Sequence, residues 1–211
     1  MTDKDLAAVQ AELAELRVRV LQLEAEEEEE QTRPANRLWT RGYYLTYYAT
    51  TGFFLGMIAA LTSLAFNIVG SLLVGQHPLQ IIKVYLTFGL GKEALSPELE
   101  SGVALAVGCC LYIATGMVLG SIFQIVLSRF GGEIGIMTRL ILASLLALAI
   151  WVANYYLLLS WLQPLLFGGN WIVDPKFMPP LVAASTHLVF GWTMALVYPL
   201  GTYEPYRVRM D

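Results

Sequence analysis

Apolar residues run along this chain in long unbroken stretches, without the alternation of a half-buried strand. Arg41 and Lys83 enclose 41 residues without a charge. Glu100 and Arg129 enclose 28, Arg139 and Asp174 enclose 34, and Lys176 and Glu204 enclose 27. Each stretch can hold the ~20 apolar residues with which a helix crosses a ~30 Å hydrocarbon layer. Four transmembrane helices are expected, at about Tyr47–Val74, Gly102–Leu127, Thr138–Leu162 and Pro180–Leu200. A β-barrel is excluded, because its strands would alternate apolar and polar residues.

The first thirty residues follow another period. Leu6, Val9, Leu13, Leu16, Val20 and Leu23 are spaced 3, 4, 3, 4, 3, an a/d heptad seam. Position g holds Glu12 and Arg19, and the next e positions hold Arg17 and Glu24. In a parallel pair of copies, Glu12 meets Arg17 and Arg19 meets Glu24, both attractive. Val18 and Leu21 widen the apolar face, which also suits packing against the membrane domain or another subunit. Thr2 with Asp5 resembles a capping box. The run Glu26–Glu30 reads as a solvated, self-repelling segment, and Pro34 as a helix stop. Arg33, Arg37 and Arg41 then meet anionic lipid.

Composition narrows the classes. Of 211 residues, 56% are hydrophobic and 14% charged, and mean hydropathy is +0.58. An ordinary soluble domain carries about a quarter charged residues. The net charge of −4 falls within the first 41 residues, with six Lys/Arg against ten Asp/Glu; the remainder carries seven of each sign. No basic surface for nucleic acid is present. The two cysteines are adjacent, so a disulfide scaffold is excluded. The acidic opening Thr2-Asp3-Lys4-Asp5 is not expected to be a cleavable signal.

Four spans place both termini on one side. Arg33, Arg37, Arg41, Arg129, Arg139, Arg207 and Arg209 flank that side, against Lys83, Lys92 and Lys176 on the other. The positive-inside bias makes the termini cytoplasmic. The expected plan is an all-α integral membrane protein, a four-transmembrane-helix bundle with an N-terminal cytoplasmic coiled-coil-like helix. That helix covers 1–30, a basic-aromatic juxtamembrane linker 31–46, the membrane domain with its outer segments 47–203, and a cytoplasmic tail 204–211. The setting is the plasma (bacterial inner) membrane.

Two outer segments are apolar but too short to span. Residues 79–88 follow Pro78 and precede Gly89 and Gly91, which suits a helix lying in the interface or over the bundle. Ser96-Pro97-Glu98-Leu99-Glu100 reads as the start of the second span. Residues 164–180 carry turn residues and aromatics, which suits an ordered cap. Within the second span, Ala104, Gly108, Tyr112, Gly116 and Gly120 recur at i+4. Gly116 and Gly120 are a G-x-x-x-G pair, suited to packing inside the chain or to self-association.

Apart from Arg139 at the very start of the third, no Asp, Glu, Lys or Arg lies inside an expected span, which argues against a proton path. The polar residues at depth are Asn67, Asn154, His187 and the Cys109-Cys110 pair. At ~1.5 Å rise per residue all lie ~20–22 Å from the cytoplasmic boundary. They form either a hydrogen-bonded layer fixing helix register or a ligand site. His77 and His187 are the only histidines, and a haem b held by both is the cofactor alternative to none. No metal site is expected, since no carboxylate accompanies His187. Nucleotide, zinc-protease, hydrolase and C-x-x-C motifs are missing.

The leading reading is a non-enzymatic multi-pass protein. It acts as an accessory or scaffolding subunit of a larger membrane complex, or as a self-associating homo-oligomer in the lipid bilayer. The alternative is a protein binding a small molecule, lipid, quinone or haem, or carrying a neutral solute, around His187 and Asn67.

Overall fold

The structure is a computed structural model that describes residues 12–24, 36–73, 75–96, 102–130 and 135–203. The chain divides into two units, Met1–Leu45 and Thr46–Asp211. Every regular element among the described residues is helical.

In the first unit, residues 12–24 form a helix, α1. Its seam residues Leu13, Leu16, Val20 and Leu23 are exposed, and so are Val18 and Leu21. Leu6, Val9, the Thr2–Asp5 cap, the acidic run 26–30 and Pro34 lie outside the described residues.

Four helices are long and apolar enough to cross a membrane: Leu45–Leu73, Gly102–Phe130, Ile136–Phe167 and Pro180–Gly201, of 29, 29, 32 and 22 residues. The first belongs to helix α2, Asn36–Leu73. This helix starts inside the stretch read as a linker, because nothing between Asn36 and Tyr47 stops a helix except the lone Gly42, whose cost is only about 1 kcal/mol. Helix α3 is Gln80–Leu90, followed by a 3-10 turn, Gly91–Leu95. Helix α4 is Gly102–Phe130. The third long helix joins α5, Ile136–Val152, to α6, Leu159–Phe167, through a π-helical segment, Ala153–Leu158. Helix α7, Pro180–Val197, ends in a 3-10 turn, Tyr198–Gly201.

Small residues set the helix crossings. A Cβ on Gly56 would lie 2.5 Å from the Gly116 carbonyl oxygen, and one on Gly116 would lie 2.5 Å from the Ala60 Cβ. Gly52 and Gly120 approach each other's backbone just as closely. The α4 stripe Gly108, Tyr112, Gly116 and Gly120 is buried throughout. Gly116 and Gly120 thus pack inside the chain, against α2. On the other side, a Cβ on Gly191 of α7 would lie 3.0 Å from the Ala143 carbonyl oxygen and the Ala147 Cβ of α5. Phe123 and Phe190 meet edge to face at 5.4 Å between the two helix pairs. With no hydrophobic drive between helices in lipid, such close approach is what holds spans together. The outward faces carry large apolar side chains, among them Phe54, Leu61, Val107, Val118, Leu145 and Leu196.

One end of the bundle is covered. Helix α3 lies against α4, where a Cβ on Gly108 would meet the Ile82 and Leu86 side chains. Residues 168–179 form a series of turns beside it. Gln163, wholly buried, ties the cover together: its Nε2 donates to Thr87 Oγ1 (2.7 Å), and its Oε1 accepts from the Ile172 N–H (2.8 Å). The third helix runs past Pro164, which the sequence reading had placed at the start of a loop, and stops at Gly168 with φ 74°. Pro164 is tolerated in this last turn because it removes a single backbone bond, after which glycine supplies the left-handed cap. Of the stretch Ser96-Pro97-Glu98-Leu99-Glu100, read as the start of the second span, all but Ser96 lies outside the described residues.

Candidate functional site

A cavity of about 100 Å³ lies beneath this cover, between all four long helices. Ala60 and Ser63 line it from α2, Tyr112, Thr115, Gly116 and Leu119 from α4, and Ala183, Thr186, His187 and Phe190 from α7. The third helix contributes Asn154, Tyr155 and Leu159, and Ile81, Val84, Tyr85, Ile172 and Met178 close the covered end. Small side chains at Ala60, Gly116 and Ala183 leave the room. The π segment has the same effect: its wider turn, with the Leu159 N–H reaching back to the Asn154 carbonyl, places Asn154 and Tyr155 together on the lining. Such π turns recur at functional sites. Thr115 is exposed on the outside of α4 while Leu119, Asn154 and Leu159 are half-buried. The cavity therefore reaches the flank of the bundle between α4 and the third long helix.

Most polar groups around it are satisfied. Ser63 Oγ donates to the Ala60 carbonyl (3.0 Å) and lies 2.8 Å from the Tyr112 hydroxyl. Asn67 Nδ2 donates to the Ser63 carbonyl (2.7 Å) and to Thr186 Oγ1 (2.9 Å), and Thr186 Oγ1 lies 2.8 Å from the Val182 carbonyl, its acceptor. This network joins α2 to α4 and to α7. The Tyr155 hydroxyl lies 3.0 Å from the Val173 carbonyl and 3.1 Å from the Met178 carbonyl, holding the cover to the third helix. Burial pushes the Tyr85 phenol up to about 12, so it stays neutral at physiological pH.

Other groups differ. His187 Nδ1 lies 2.8 Å from the Ala183 carbonyl oxygen. A carbonyl only accepts, so Nδ1 carries the proton, and Nε2 of the neutral ring is a bare acceptor. Nε2, the Asn154 carboxamide and the Tyr85 hydroxyl have no hydrogen-bond partner among the described residues.

The residues singled out in the sequence separate in space. His187 and Asn154 share the cavity lining. Asn67 is buried one layer away, reaching the lining through Ser63 and Thr186. Cys109 is half-buried and Cys110 exposed, and neither lines the cavity. His77 is exposed in the turn before α3, where its Nδ1 accepts from the Leu79 N–H (3.0 Å), so the two histidines do not flank one space. Among the described residues no three His, Cys, Asp or Glu side chains gather where a metal ion could be held. Ser63, Thr186 and Tyr155 were missed as site residues. Ser63 and Thr186 had a signal, the first i−4 from Asn67 and the second adjacent to His187. Tyr155 had none, because a π turn leaves no mark in apolar periodicity. This chain matches no known family, no curated protein and no solved structure.

Proposed function

We propose that this is a non-enzymatic multi-pass membrane protein that holds a small neutral molecule in the cavity around His187 and Asn154. In this reading the four long helices cross the plasma membrane, both termini are cytoplasmic and the covered end faces outward. The observation that carries it is the set of polar groups without a partner among the described residues, His187 Nε2 and the Asn154 carboxamide foremost, on the lining of a mostly apolar cavity. Both groups open onto the cavity, so an occupant that can hydrogen-bond to them is favoured there. The lining carries no Asp, Glu, Lys or Arg, which suits a neutral molecule and speaks against a proton path.

A second reading, assembly with another copy or with other membrane subunits, is favoured by the exposed seam of α1 and its matched charges. It is compatible with the first.

Native mass spectrometry of the protein purified in mild detergent tests the ligand reading. A mass above that of the bare chain is expected, and it should disappear in Ala183→Leu, which fills the cavity. A wild-type chain carrying no adduct would contradict the reading. An absorption band of haem in the same sample would move the assignment to the haem alternative.

A further inference from the structure

We propose that the cavity takes the hydroxyl-bearing end of a neutral, lipid-soluble molecule, a phenol or alcohol that donates a hydrogen bond to His187 Nε2. This rests on the reading of the cavity as a ligand site and specifies the chemistry of its occupant.

Most donors around the cavity are already spent. Ser63 spends its proton on the Ala60 carbonyl, so the Tyr112 hydroxyl donates to Ser63 Oγ. Thr115 and Thr186 donate to the Leu111 and Val182 carbonyls in their own helices, and Tyr155 donates into the cover. His187 spends its Nδ1 proton on Ala183. The group left with a fixed role is Nε2, an acceptor. The Asn154 carboxamide and the Tyr85 hydroxyl can each act either way. A ligand bearing only acceptors leaves Nε2 bare. A hydroxyl donates to Nε2 and accepts from one of the adaptable groups.

Size and access complete the class. A cavity of ~150 Å³ holds benzene, so about 100 Å³ encloses the hydroxyl end of a phenol or alcohol, with the rest of the molecule lying in the flank opening. The flank opening beside the exposed Thr115 leaves a path for a longer tail. That flank lies within the apolar part of α4, so entry from the bilayer requires a molecule that dissolves in lipid.

The test uses 4-fluorophenol and 4-fluorotoluene, which match in shape and differ in one hydroxyl. Their fluorine resonances are titrated against the full chain in lipid nanodiscs, with empty nanodiscs correcting for partition into lipid. The phenol is expected to bind about 10-fold more tightly, the worth of one buried hydrogen bond. In His187→Leu the difference is expected to fall to about 2-fold or less. Should that variant fail to purify, His187→Phe replaces it. Equal affinity of the two probes for the wild type, or a preference that survives loss of the imidazole, would overturn the inference while leaving the cavity a ligand site. Saturable binding of neither probe would overturn the ligand-site reading and the inference with it.

Discussion

Two asparagines show how chemically equal residues do different work. Asn67 bridges α2 to α7 through Thr186, whereas Asn154 faces the cavity with no hydrogen-bond partner among the described residues. Asn67→Leu is expected to lower stability by about 1 kcal/mol, within the range of interhelical hydrogen bonds in membranes. Asn154→Leu is expected to leave stability unchanged or to raise it, and to weaken any occupant. Thermal unfolding in detergent, followed by circular dichroism, separates the two; equal losses would contradict the assignment. Glycines divide in the same way. A Cβ on Gly120 would run into the α2 backbone at Gly52 and Gly56, whereas Gly70 has nothing within 4 Å. Gly120→Ala should destabilise by about 1–3 kcal/mol and Gly70→Ala should not. The i+4 stripe marked these glycines in the sequence as a packing face, without deciding between packing inside the chain and self-association. The division between Asn67 and Asn154 was not legible, since estimated depth says nothing of which face of a helix a residue occupies.

At the scale of elements, the long apolar stretches located the four long helices to within a few residues at most ends. Pro78, Gly89 and Gly91 bracketed α3, and the structure ends it at Leu90 with Gly91 at φ 58°. The third helix was less legible. Its π segment arises from backbone register, and Pro164 reads as a stop although the helix passes it. The cover depends on one side chain from the end of this helix. Gln163→Leu would strand Thr87 Oγ1 without its donor and the Ile172 N–H without its acceptor. Amide exchange is expected to rise together in 80–90 and 171–178 in that variant, and a rise in one segment alone would show that they are not docked through Gln163. For α1, the exposed Leu13 and Leu16 make the seam testable by itself. Changing both to Ser is expected to lower the mass of the assembled protein in detergent or to release a partner subunit. An unchanged mass and composition would remove the arm from assembly.

For the molecule as a whole, the account stands or falls on four crossings with the covered cavity on the outer side. Four helices are long and apolar enough to cross, and the proposed direction rests on the Lys/Arg asymmetry. Cysteine labelling in intact cells measures both together, in a background with Cys109→Ala and Cys110→Ala. Ser96→Cys lies just after the 3-10 turn of the cover, and Ala25→Cys lies in the N-terminal arm. A membrane-impermeant maleimide is expected to label the first and to reach the second only after the cells are opened. Labelling of Ala25→Cys in intact cells with Ser96→Cys protected, or labelling of both, would contradict the account.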